Sequence, residues 1–495
     1  MADREKRGMM IFVANVQALR DLLKATLSDY ELAPDTYFVG GCVRDDVMGL
    51  PIKDLDMVVE ELGGAKKLCW YLYRLFPKYC TRPHELGAGY PIWQIRFKSD
   101  VDWNDQFFSV GGIELQIADT QKESYPDSLS RARITNFGSL NEDCERRDFT
   151  SNMLYRNILS DRVLDPSGSG LSDIQKGMLR THPGVSAEKI FNDDPLRMLR
   201  MLRFSLRFGW SIHPETIEAA KKCSSRLKIL SAERVRDEWL KLIEQKTFSM
   251  AWRDYKNFGF LEILWPEFLP MIGCEQDSTY HSEGDVWIHT LMVMDFAQSK
   301  TLQQLTALLH DIGKPPTRSV VGERVKFLNH ETQSVELAEI FLKKWKFPSL
   351  LTREVLKLIA LHLRGGDVEK WGSLKPARKF LRDAGALKDE LLSFIEADSR
   401  ASLGPDFKPR LSHIPLLRAK LAEAEKIATH SRSVLSGHEI MSVLKISPSR
   451  EIKTIQNALL ELEDSLAEKG ETLSKERALE WICQDFDIQK LNLKI

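Results

Sequence analysis

The 495-residue chain has almost no net charge and no long apolar run. Its 70 lysines and arginines nearly balance 71 aspartates and glutamates, so any attraction to a polyanion must come from local patches. No apolar stretch approaches the roughly 18 residues of a membrane span. The charged start, Met1–Arg7, is not followed by a secretory apolar region. We therefore expect a soluble, cytoplasmic protein.

The chain also lacks paired cysteines, internal repeats and low-complexity tracts. Its seven cysteines are odd in number and include no C-x-x-C pair, which argues against a disulfide framework and a zinc ribbon. With 43% apolar residues the chain can bury several cores. Apolar periodicity and proline and glycine punctuation predict four domains: a mixed α/β head (1–155), a helical neck (156–270), a histidine-rich domain (271–403) and a helical tail (404–495).

The most informative motif is the run Gly40-Gly41-Cys42-Val43-Arg44-Asp45, which is followed after eight residues by a D-x-D pair, Asp54 and Asp56. Residues 36–39 and 57–59 are predicted to be strands. Side chains alternate along a strand, so the two carboxylates point the same way and suit Mg²⁺. A glycine turn before a helix brings backbone N–H groups close to a phosphate. Together these features predict a site for a nucleoside triphosphate and Mg²⁺.

Two further segments carry polar groups suited to a nucleotide. In the first, residues 146–152, Arg147 can meet a phosphate, and Asp148 and Asn152 can meet ribose hydroxyls. The second is a predicted helix that starts at Pro195. Four arginines share one of its faces and would repel each other unless anions or carboxylates lay opposite: Arg197, Arg200, Arg203 and Arg207. We therefore predict that this helix binds phosphate.

Five of the eleven histidines fall between residues 281 and 362: His281, His289, His310, His330 and His362. The pair His310-Asp311 ends an apolar helix. A single histidine at such a position is usually a core residue, but an imidazole–carboxylate pair with further helical histidines on both sides favours metal ligation.

In the first half of the chain, these motifs resemble those of class II CCA-adding tRNA nucleotidyltransferases and bacterial poly(A) polymerases. The resemblance implies an α+β fold, in which a polymerase-β-like head with a mixed sheet precedes an all-helical neck, HD domain and tail. It implies that Asp54 and Asp56 hold Mg²⁺. It also implies nucleotide binding by Gly40, Gly41, Arg44 and Asp45 of the first motif and by Arg147, Asp148 and Asn152 of the second, with Asp148 and Asn152 at the ribose. Asp194 and Arg197 are implied at the base, and Arg200 and Arg203 at the triphosphate.

The histidine-rich segment resembles the HD phosphohydrolases, whose pattern is H…HD…D. The resemblance implies that His289, His310, Asp311 and Asp398 ligate a divalent transition metal or Mg²⁺. His330 and His362 match the extra histidines of metal-rich members, and Lys314 could serve a phosphate.

The sequence departs from the first family's pattern in the segment 113–125. Gln116 and Gln121 stand where an acid and an arginine are common, and Glu114 shares the predicted strand face with Gln116. The third head carboxylate is therefore left unassigned. The next segment, Asp127–Arg133, resembles the family's mobile loop.

The function implied is template-independent addition of CCA to the 3′ end of tRNA from CTP and ATP, with a second, metal-dependent phosphohydrolase activity. Alternatives remain open within the same class: a poly(A) polymerase, or an enzyme that adds only CC or only A. Two others lie outside that class. The HD domain could be the active part, with the head as an RNA-binding module, or the chain could be a regulatory RNA-binding protein with neither activity.

Overall fold

The computed structural model describes residues 16–52, 55–86, 90–124, 134–322, 324–426, 433–467 and 470–484. The chain separates into two compact units. The first unit comprises Met1–Glu238 and Asp254–Leu264, and the second comprises Trp239–Arg253 and Trp265–Ile495.

The strands of the described residues are β1 (Thr36–Val39), β2 (Leu55–Val59), β3 (His84–Leu86), β4 (Ile92–Arg96), β5 (Val101–Trp103), β6 (Gln106–Phe108), β7 (Glu114–Asp119), β8 (Gln121–Ser124), β9 (Ile134–Phe137), β10 (Tyr155–Asn157), β11 (Val163–Leu164), β12 (Met178–Leu179), β13 (Ser211–Ile212), β14 (Arg318–Val321) and β15 (Arg324–Phe327).

The helices of the first unit are α1 (16–27), α2 (Gly41–Val47), α3 (Gly64–Leu75), α4 (Leu140–Glu145), α5 (Gly170–Lys176), α6 (Ala187–Asp193), α7 (Leu196–Phe208), α8 (Pro214–Cys223), α9 (Ala232–Glu244), which continues into the second unit, and α11 (Leu261–Leu264). Helix α10 (Phe248–Asn257) begins in the second unit and ends in the first. The described helices that lie in the second unit are α12 (Val286–Phe296), α13 (Thr301–Leu309), α14 (Lys314–Thr317), α15 (His330–Lys344), α16 (Ser349–Leu361), α17 (Lys375–Ala384), α18 (Lys388–Ala401), α19 (His413–Glu425), α20 (Gly437–Leu444), α21 (Arg450–Ala467) and α22 (Lys475–Gln484).

The first unit is built on a seven-stranded mixed sheet with the strand order β11-β10-β1-β2-β7-β4-β3. Only the pair β2–β7 is parallel, and the other neighbours are antiparallel. Alternation along β2 sends Leu55, Met57 and Val59 into a core shared with α1 and α3. Val58 packs on the opposite face, and Asp56, which shares that face, lies exposed at the start of the strand.

Most of the predicted elements of the head are present. β1 matches the predicted strand 36–39. Apolar patterning also predicts strands at 92–97, 107–110 and 113–118, and β4, β6 and β7 lie within one or two residues of these positions. The same patterning predicts a helix over residues 10–30, which is described from residue 16 to 27. The sheet continues beyond residue 155, where the head was predicted to end, because β10 and β11 complete one edge. The four-domain division itself stays a prediction.

Among its described residues, the second unit consists mainly of helices, and its strands β14 and β15 pair in antiparallel orientation. An aromatic cluster forms part of its core, with ring centroids 4.9 Å apart for Trp252 and Trp265 and 5.1 Å apart for Trp239 and Trp345. Within the described residues, none of the helices is both long and apolar enough to cross a membrane. The cytoplasmic location stays a prediction.

A buried carboxylate ties α4 to the sheet of the first unit. Asp143 lies 2.7 Å from Arg146 and 2.8 Å from Arg147, and it also accepts hydrogen bonds from the Tyr155 hydroxyl and the Gln121 backbone N–H. Burial alone would raise the pKa of Asp143, but the two arginines outweigh it and lower the pKa from 3.8 to about 2. The ionised carboxylate therefore stabilises the fold.

We expect Asp143→Asn to lower the free energy of unfolding by about 3 kcal/mol at pH 7, because an amide cannot neutralise the two partly buried guanidinium groups that the buried carboxylate pairs with. The folded pKa of Asp143 lies below its ordinary value. Its ionisation therefore contributes about 2 kcal/mol above pH 4, and this contribution is lost as the pH falls towards 2. Urea denaturation at pH 7 and at steps from pH 4 downward measures both effects.

The matched control is Asp161→Asn, since the Asp161 carboxylate is 62% exposed and pairs with Arg156 at the surface. We expect this control to change stability by less than about 1 kcal/mol. Equal stability of the Asp143→Asn variant and the native chain at pH 7 would contradict the assignment.

Candidate functional site

The predicted glycine turn joins β1 to α2. Gly40 has φ +75°, and a Cβ at this position would lie 3.3 Å from Nη1 of Arg147. Both the backbone conformation and the approach of the guanidinium therefore require glycine here. Gly41 begins α2, and the Gly40 N–H donates to the carbonyl oxygen of Leu154. The turn thus places a predicted phosphate ligand, Arg147, directly beside the glycine backbone.

The D-x-D motif lies at the start of β2. Asp56 is exposed there, and Asp54 lies outside the described residues. In the parallel pairing, Asp56 is in register with Gln116, whose other neighbour in register is Gln94 of β4. The exposed Asp56 carboxylate offers the oxygen donors that a hard cation such as Mg²⁺ prefers, and this donor type fits the ion predicted for the head.

Glu114 is the nearest described candidate for a third head carboxylate. It lies two residues before Gln116 on β7, on the same face of the sheet, and Gln94 donates a hydrogen bond to it. The predicted mobile loop, Asp127–Arg133, lies outside the described residues.

The nucleotide-binding motifs predicted from the sequence meet in one polar network, which we call the head network. Arg44 is 3% exposed, contacts Asp45 at 2.6 Å and donates to the Asn152 side-chain oxygen. Asn152 in turn donates to Asp148 at 2.9 Å, and Asp148 pairs with Arg200 of α7 at 2.6 Å. The network joins α2, the turn at 150–152 and α7.

The network extends to Arg207, which lies 3.3 Å from Asp45. Burial opposes the charge of Asp148, but Arg200 and Asn152 outweigh it and hold the pKa of this carboxyl well below its ordinary value. Burial lowers the pKa of Arg44 despite the neighbouring Asp45. The rings of Phe204 and Phe208 lie 5.2 and 4.9 Å from the Arg44 guanidinium and supply further attraction.

Each of the four arginines of α7 has a partner within the first unit. Arg203 is 5% exposed and pairs with the buried carboxylate of Glu238. Arg197 donates to the backbone carbonyls of Ile190 and Arg146. The carboxylates that sequence reasoning required opposite this face are therefore present, and they account for Arg203 without a phosphate. Its predicted contact with the triphosphate stays a prediction.

Asp194 immediately precedes Pro195 and pairs with Arg234 of α9 at 2.8 Å. The Asp194 side chain is partly exposed and therefore accessible to a ligand, whereas Arg203 is buried.

Sequence reasoning missed three residues that hold this region together. Asp143 had a usable signal, because Arg146 and Arg147 follow it at i+3 and i+4 on one short helix. The sequence carries no such signal for Glu238 and Arg234, because they lie 35 and 40 residues from their partners Arg203 and Asp194.

In the second unit, five segments bring the predicted metal ligands together. His289 lies on α12, His310 and Asp311 follow α13, His330 begins α15, His362 follows α16 and Asp398 lies on α18. Nε2 of His289 is 3.0 Å from Asp398 and 3.7 Å from Asp311. Nε2 of His310 is 3.1 Å from Asp311. We call this set the histidine centre.

Asp311 faces two groups of histidines with separate oxygens. Its Oδ2 faces His289 and His310, whereas its Oδ1 lies 3.4 Å from His330 and 4.0 Å from His362. Either group brings three ligand atoms within 4.8 Å of one another. The geometry therefore offers two adjacent places for a cation.

Backbone carbonyls orient three of these imidazoles. Nδ1 of His310, His330 and His362 lies 2.9, 2.9 and 2.7 Å from the carbonyl oxygens of Ala307, Phe327 and Ile359. A carbonyl can only accept, so Nδ1 carries the proton and a neutral ring directs its Nε2 lone pair into the centre.

The histidine centre contains buried ligand atoms that a cation would satisfy. Among the described residues, Nε2 of His310 and of His330 has no hydrogen-bond partner, and Oδ1 of Asp311 accepts no hydrogen bond, whereas its Oδ2 lies 2.7 Å from Nζ of Lys314. Lone pairs of nitrogen and oxygen thus face each other at 3.1–3.4 Å. This donor set fits a divalent metal ion.

The histidines of the metal-free centre differ in protonation, and a metal that bound His289 would have to displace a proton. Burial opposes protonation of His289, but Asp398 and Glu283 outweigh it and raise its pKa to about 9. Burial lowers the pKa of His362 to about 4, and the neighbouring His310 adds to this effect. His289 thus holds a proton between carboxylates, whereas His362 is neutral and ready to ligate.

A cavity of about 330 Å³ opens onto the histidine centre. Lys314 is 6% exposed there, and its Nζ lies 2.7 Å from Asp311 and 2.8 Å from the Gln276 side-chain oxygen. Phe327 and Leu363 supply apolar wall, and Arg410 supplies a further positive charge. The positive side chains of Lys314 and Arg410 line the same cavity as the predicted metal ligands, and this arrangement suits a phosphate group.

Three family models match successive parts of the chain. The poly A polymerase head domain matches residues 36–180, the probable RNA and SrmB-binding site of polymerase A matches 209–272, and the HD domain matches 286–402. The head match covers the glycine turn and the whole seven-stranded sheet, and the HD match covers all six residues of the histidine centre.

Two solved structures share the fold. The Bacillus stearothermophilus CCA-adding enzyme in complex with CTP has a TM-score of 0.60 at 20% identity, over 96% of this chain and 99% of that chain. The Thermotoga maritima CCA-adding enzyme complexed with tRNA CCA has a TM-score of 0.53 at 19% identity, over 94% of each chain.

The relationship to one curated protein extends to sequence. The multifunctional CCA protein of Nitrosomonas europaea is 33% identical over 347 residues, which cover 69% of this chain and 76% of that protein. Identity of this extent confirms the family predicted from the motifs, and the chain belongs to the family of multifunctional CCA proteins.

Proposed function

We propose that the chain adds C and A nucleotides to the 3′ end of tRNA from CTP and ATP, without a nucleic-acid template. The observation that carries the proposal is the chain's membership of the multifunctional CCA protein family. CCA-adding enzymes described in complex with CTP and with tRNA share its fold. Its own glycine turn and exposed Asp56 supply the two features that nucleotidyl transfer needs, a place for the triphosphate and oxygen ligands for a metal.

In this proposal Asp54 and Asp56 hold Mg²⁺. When bound, Mg²⁺ lowers the pKa of the tRNA 3′-hydroxyl and neutralises charge on the triphosphate. The chain's own residues mainly position the reacting groups. Gly40 and Gly41 let the triphosphate approach the backbone, and Arg147 lies beside that turn.

The head network supplies the remaining contacts to the nucleotide. Asp148 and Asn152 meet the ribose hydroxyls, and Arg200 exchanges part of its pairing with Asp148 for a phosphate. Arg44 and Asp45 hold α2 against α7 through the pair with Arg207. The side chains of the head network are already paired with each other in the free protein. A bound nucleotide would therefore replace hydrogen bonds within the protein instead of hydrogen bonds to water.

Base choice is assigned to Asp194 and Arg197, which offer an acceptor and a donor edge. Arg197 is oriented by two backbone carbonyls and Asp194 by Arg234, so both side chains have fixed directions. Arg203 of the same helix is held by its buried contact with Glu238, and its role at the triphosphate is part of the proposal.

We expect Asp56→Ala, and equally Asp54→Ala, to reduce nucleotide addition by more than about 100-fold while the fold is retained, since a metal ligand is lost. The assay incubates the variant with tRNA that lacks its 3′ end and labelled CTP. Asp102→Ala, which changes an exposed aspartate on β5, is the matched control and keeps full activity. Normal CTP incorporation by Asp56→Ala would refute the metal assignment.

We expect Arg197→Ala and Asp194→Ala to weaken discrimination among nucleotides more than triphosphate binding. Loss of one partner of the hydrogen-bonding edge removes about 1–3 kcal/mol of selectivity. The measurement is kcat/KM for CTP, ATP, UTP and GTP on the same tRNA. Asp237→Ala, at an exposed ion pair of α9, is the control. Unchanged nucleotide preference in both test variants would contradict the assignment.

Product sizing with CTP alone, with ATP alone and with both together distinguishes the proposed activity from its alternatives. Two C residues are expected with CTP alone, and two C residues and one A residue, followed by a stop, with both. A long A tract would indicate a poly(A) polymerase, and a stop after CC or a requirement for a CC end would indicate a partial enzyme.

We also propose that the histidine centre binds a divalent metal ion and hydrolyses a phosphate ester. His289, His310, Asp311 and Asp398 ligate it, and His330 and His362 complete the second group of ligands around Asp311. When bound, the ion polarises the phosphoryl group and activates water. Lys314 lies in the cavity wall, where its ammonium group can neutralise the phosphate.

We expect His310→Ala to abolish hydrolysis of a 2′,3′-cyclic nucleotide measured with added Mg²⁺, Mn²⁺, Co²⁺ or Ni²⁺. Addition of nucleotides to tRNA should change little, because the head uses oxygen ligands instead of imidazoles. His438→Ala removes an exposed histidine of α20 and serves as the control. If the native protein contains no bound metal and hydrolyses nothing with any ion, the activity is restricted to nucleotide transfer.

A further inference from the structure

Glu283 is a buried carboxylate just before α12 that lies outside the ligand set assigned above. Its side chain is 0% exposed. Oε1 lies 2.8 Å from Nδ1 of His289 and 2.7 Å from Nδ1 of His281. Oε2 accepts a hydrogen bond of 2.8 Å from the backbone N–H of Leu403. Both oxygens are therefore engaged, and one of them contacts a metal ligand.

His289 is oriented differently from the other three histidines of the centre. Backbone carbonyls hold Nδ1 of His310, His330 and His362, whereas a carboxylate holds Nδ1 of His289. An ionised carboxylate is a stronger acceptor than a carbonyl, so it fixes the tautomer more firmly and makes Nε2 a more basic ligand.

The second oxygen of Glu283 reaches a different ligand-bearing segment. Leu403 follows α18, which carries Asp398, and the Ser402 backbone N–H donates to the Asp398 carbonyl oxygen. One carboxylate thus links the chain before α12 to the chain after α18. These two helices supply His289 and Asp398, which lie 3.0 Å apart.

We propose that Glu283 is a positioning residue of the histidine centre, which orients His289 through Oε1 and fixes the separation of His289 and Asp398 through Oε2. This inference rests on the proposed metal site. Carboxylates that hold a ligating imidazole in this way commonly account for 10- to 100-fold in metal affinity, an order-of-magnitude expectation for Glu283 as well.

A metal site formed by His281, Glu283 and His289 is the competing interpretation, because their ligand atoms lie within 4.8 Å of one another. Both imidazoles, however, face the same carboxylate oxygen at hydrogen-bond distance. Ligation there would use Nδ1 of His289 while its Nε2 is already directed at Asp398. Hydrogen bonds to Glu283 satisfy Nδ1 of both imidazoles, so His289 need not ligate a second metal ion through Nδ1.

The test titrates Co²⁺ into the metal-free full-length protein and follows the visible absorption of the bound ion. We expect Glu283→Gln to raise the Kd for Co²⁺ by about 10- to 100-fold. The matched control is Glu331→Gln, which makes the same change beside His330. There the carboxylate is 4.0 Å from Nδ1, and the carbonyl of Phe327 already holds that nitrogen. The control should bind Co²⁺ as the native protein does.

Each outcome has a defined meaning. Native Co²⁺ affinity in Glu283→Gln overturns the inference, and so does equal weakening in both glutamine variants, which would indicate a general effect of lost negative charge. A drop in bound Co²⁺ per chain in His281→Ala also overturns it, because His281 would then be a ligand. If the native protein binds no Co²⁺, the proposed metal site itself fails.

Circular dichroism of the metal-free proteins checks that Glu283→Gln is folded. Should it fail to fold, Glu283→Asp keeps the charge but shortens the side chain by one methylene, and the same direction of change is expected. Native affinity for Co²⁺ in a folded Glu283→Asp variant overturns the proposal.

Discussion

The pairing of buried charge is the constraint on which the first unit depends. Arg44 and Arg203 are almost fully buried, and a buried guanidinium is tolerated only beside a carboxylate and with its hydrogen bonds satisfied. Asp45 and Glu238 provide those carboxylates. Removing one partner leaves an uncompensated charge, so the residues that resemble a nucleotide site also hold α2 and α7 in place.

The second unit solves a different problem, which is to bring neutral imidazoles together without losing their direction. Three of its histidines are held by backbone carbonyls one turn earlier in the chain. A helix end or helix start therefore orients each ring locally, with no contribution from distant side chains. Asp311 faces the lone pairs of both groups, and its negative charge suits the cation proposed there.

The sequence was sufficient where a motif is local and insufficient where a partner is distant. The strand 36–39, the glycine turn and the arginine face of α7 follow from short-range alternation and spacing. The strands β10 and β11 are too short to show alternation, so the sequence did not predict them. Glu238 and Glu283 have no periodic relation to their partners, and only the folded chain brings them together.

The exposure of the ligands explains why one chain can use two kinds of metal site. Asp56 lies exposed at the start of β2. In the proposed function, a cation held there would be accessible to a triphosphate and to an RNA hydroxyl. His289, His310, His330 and His362 are buried and oriented before any ion binds. In the proposed function, the head site would take its remaining ligands from the substrates, whereas the histidine centre carries its own. Oxygen donors favour Mg²⁺ and imidazoles favour transition metals, so the two proposed sites differ in the ions that their donor chemistry suits.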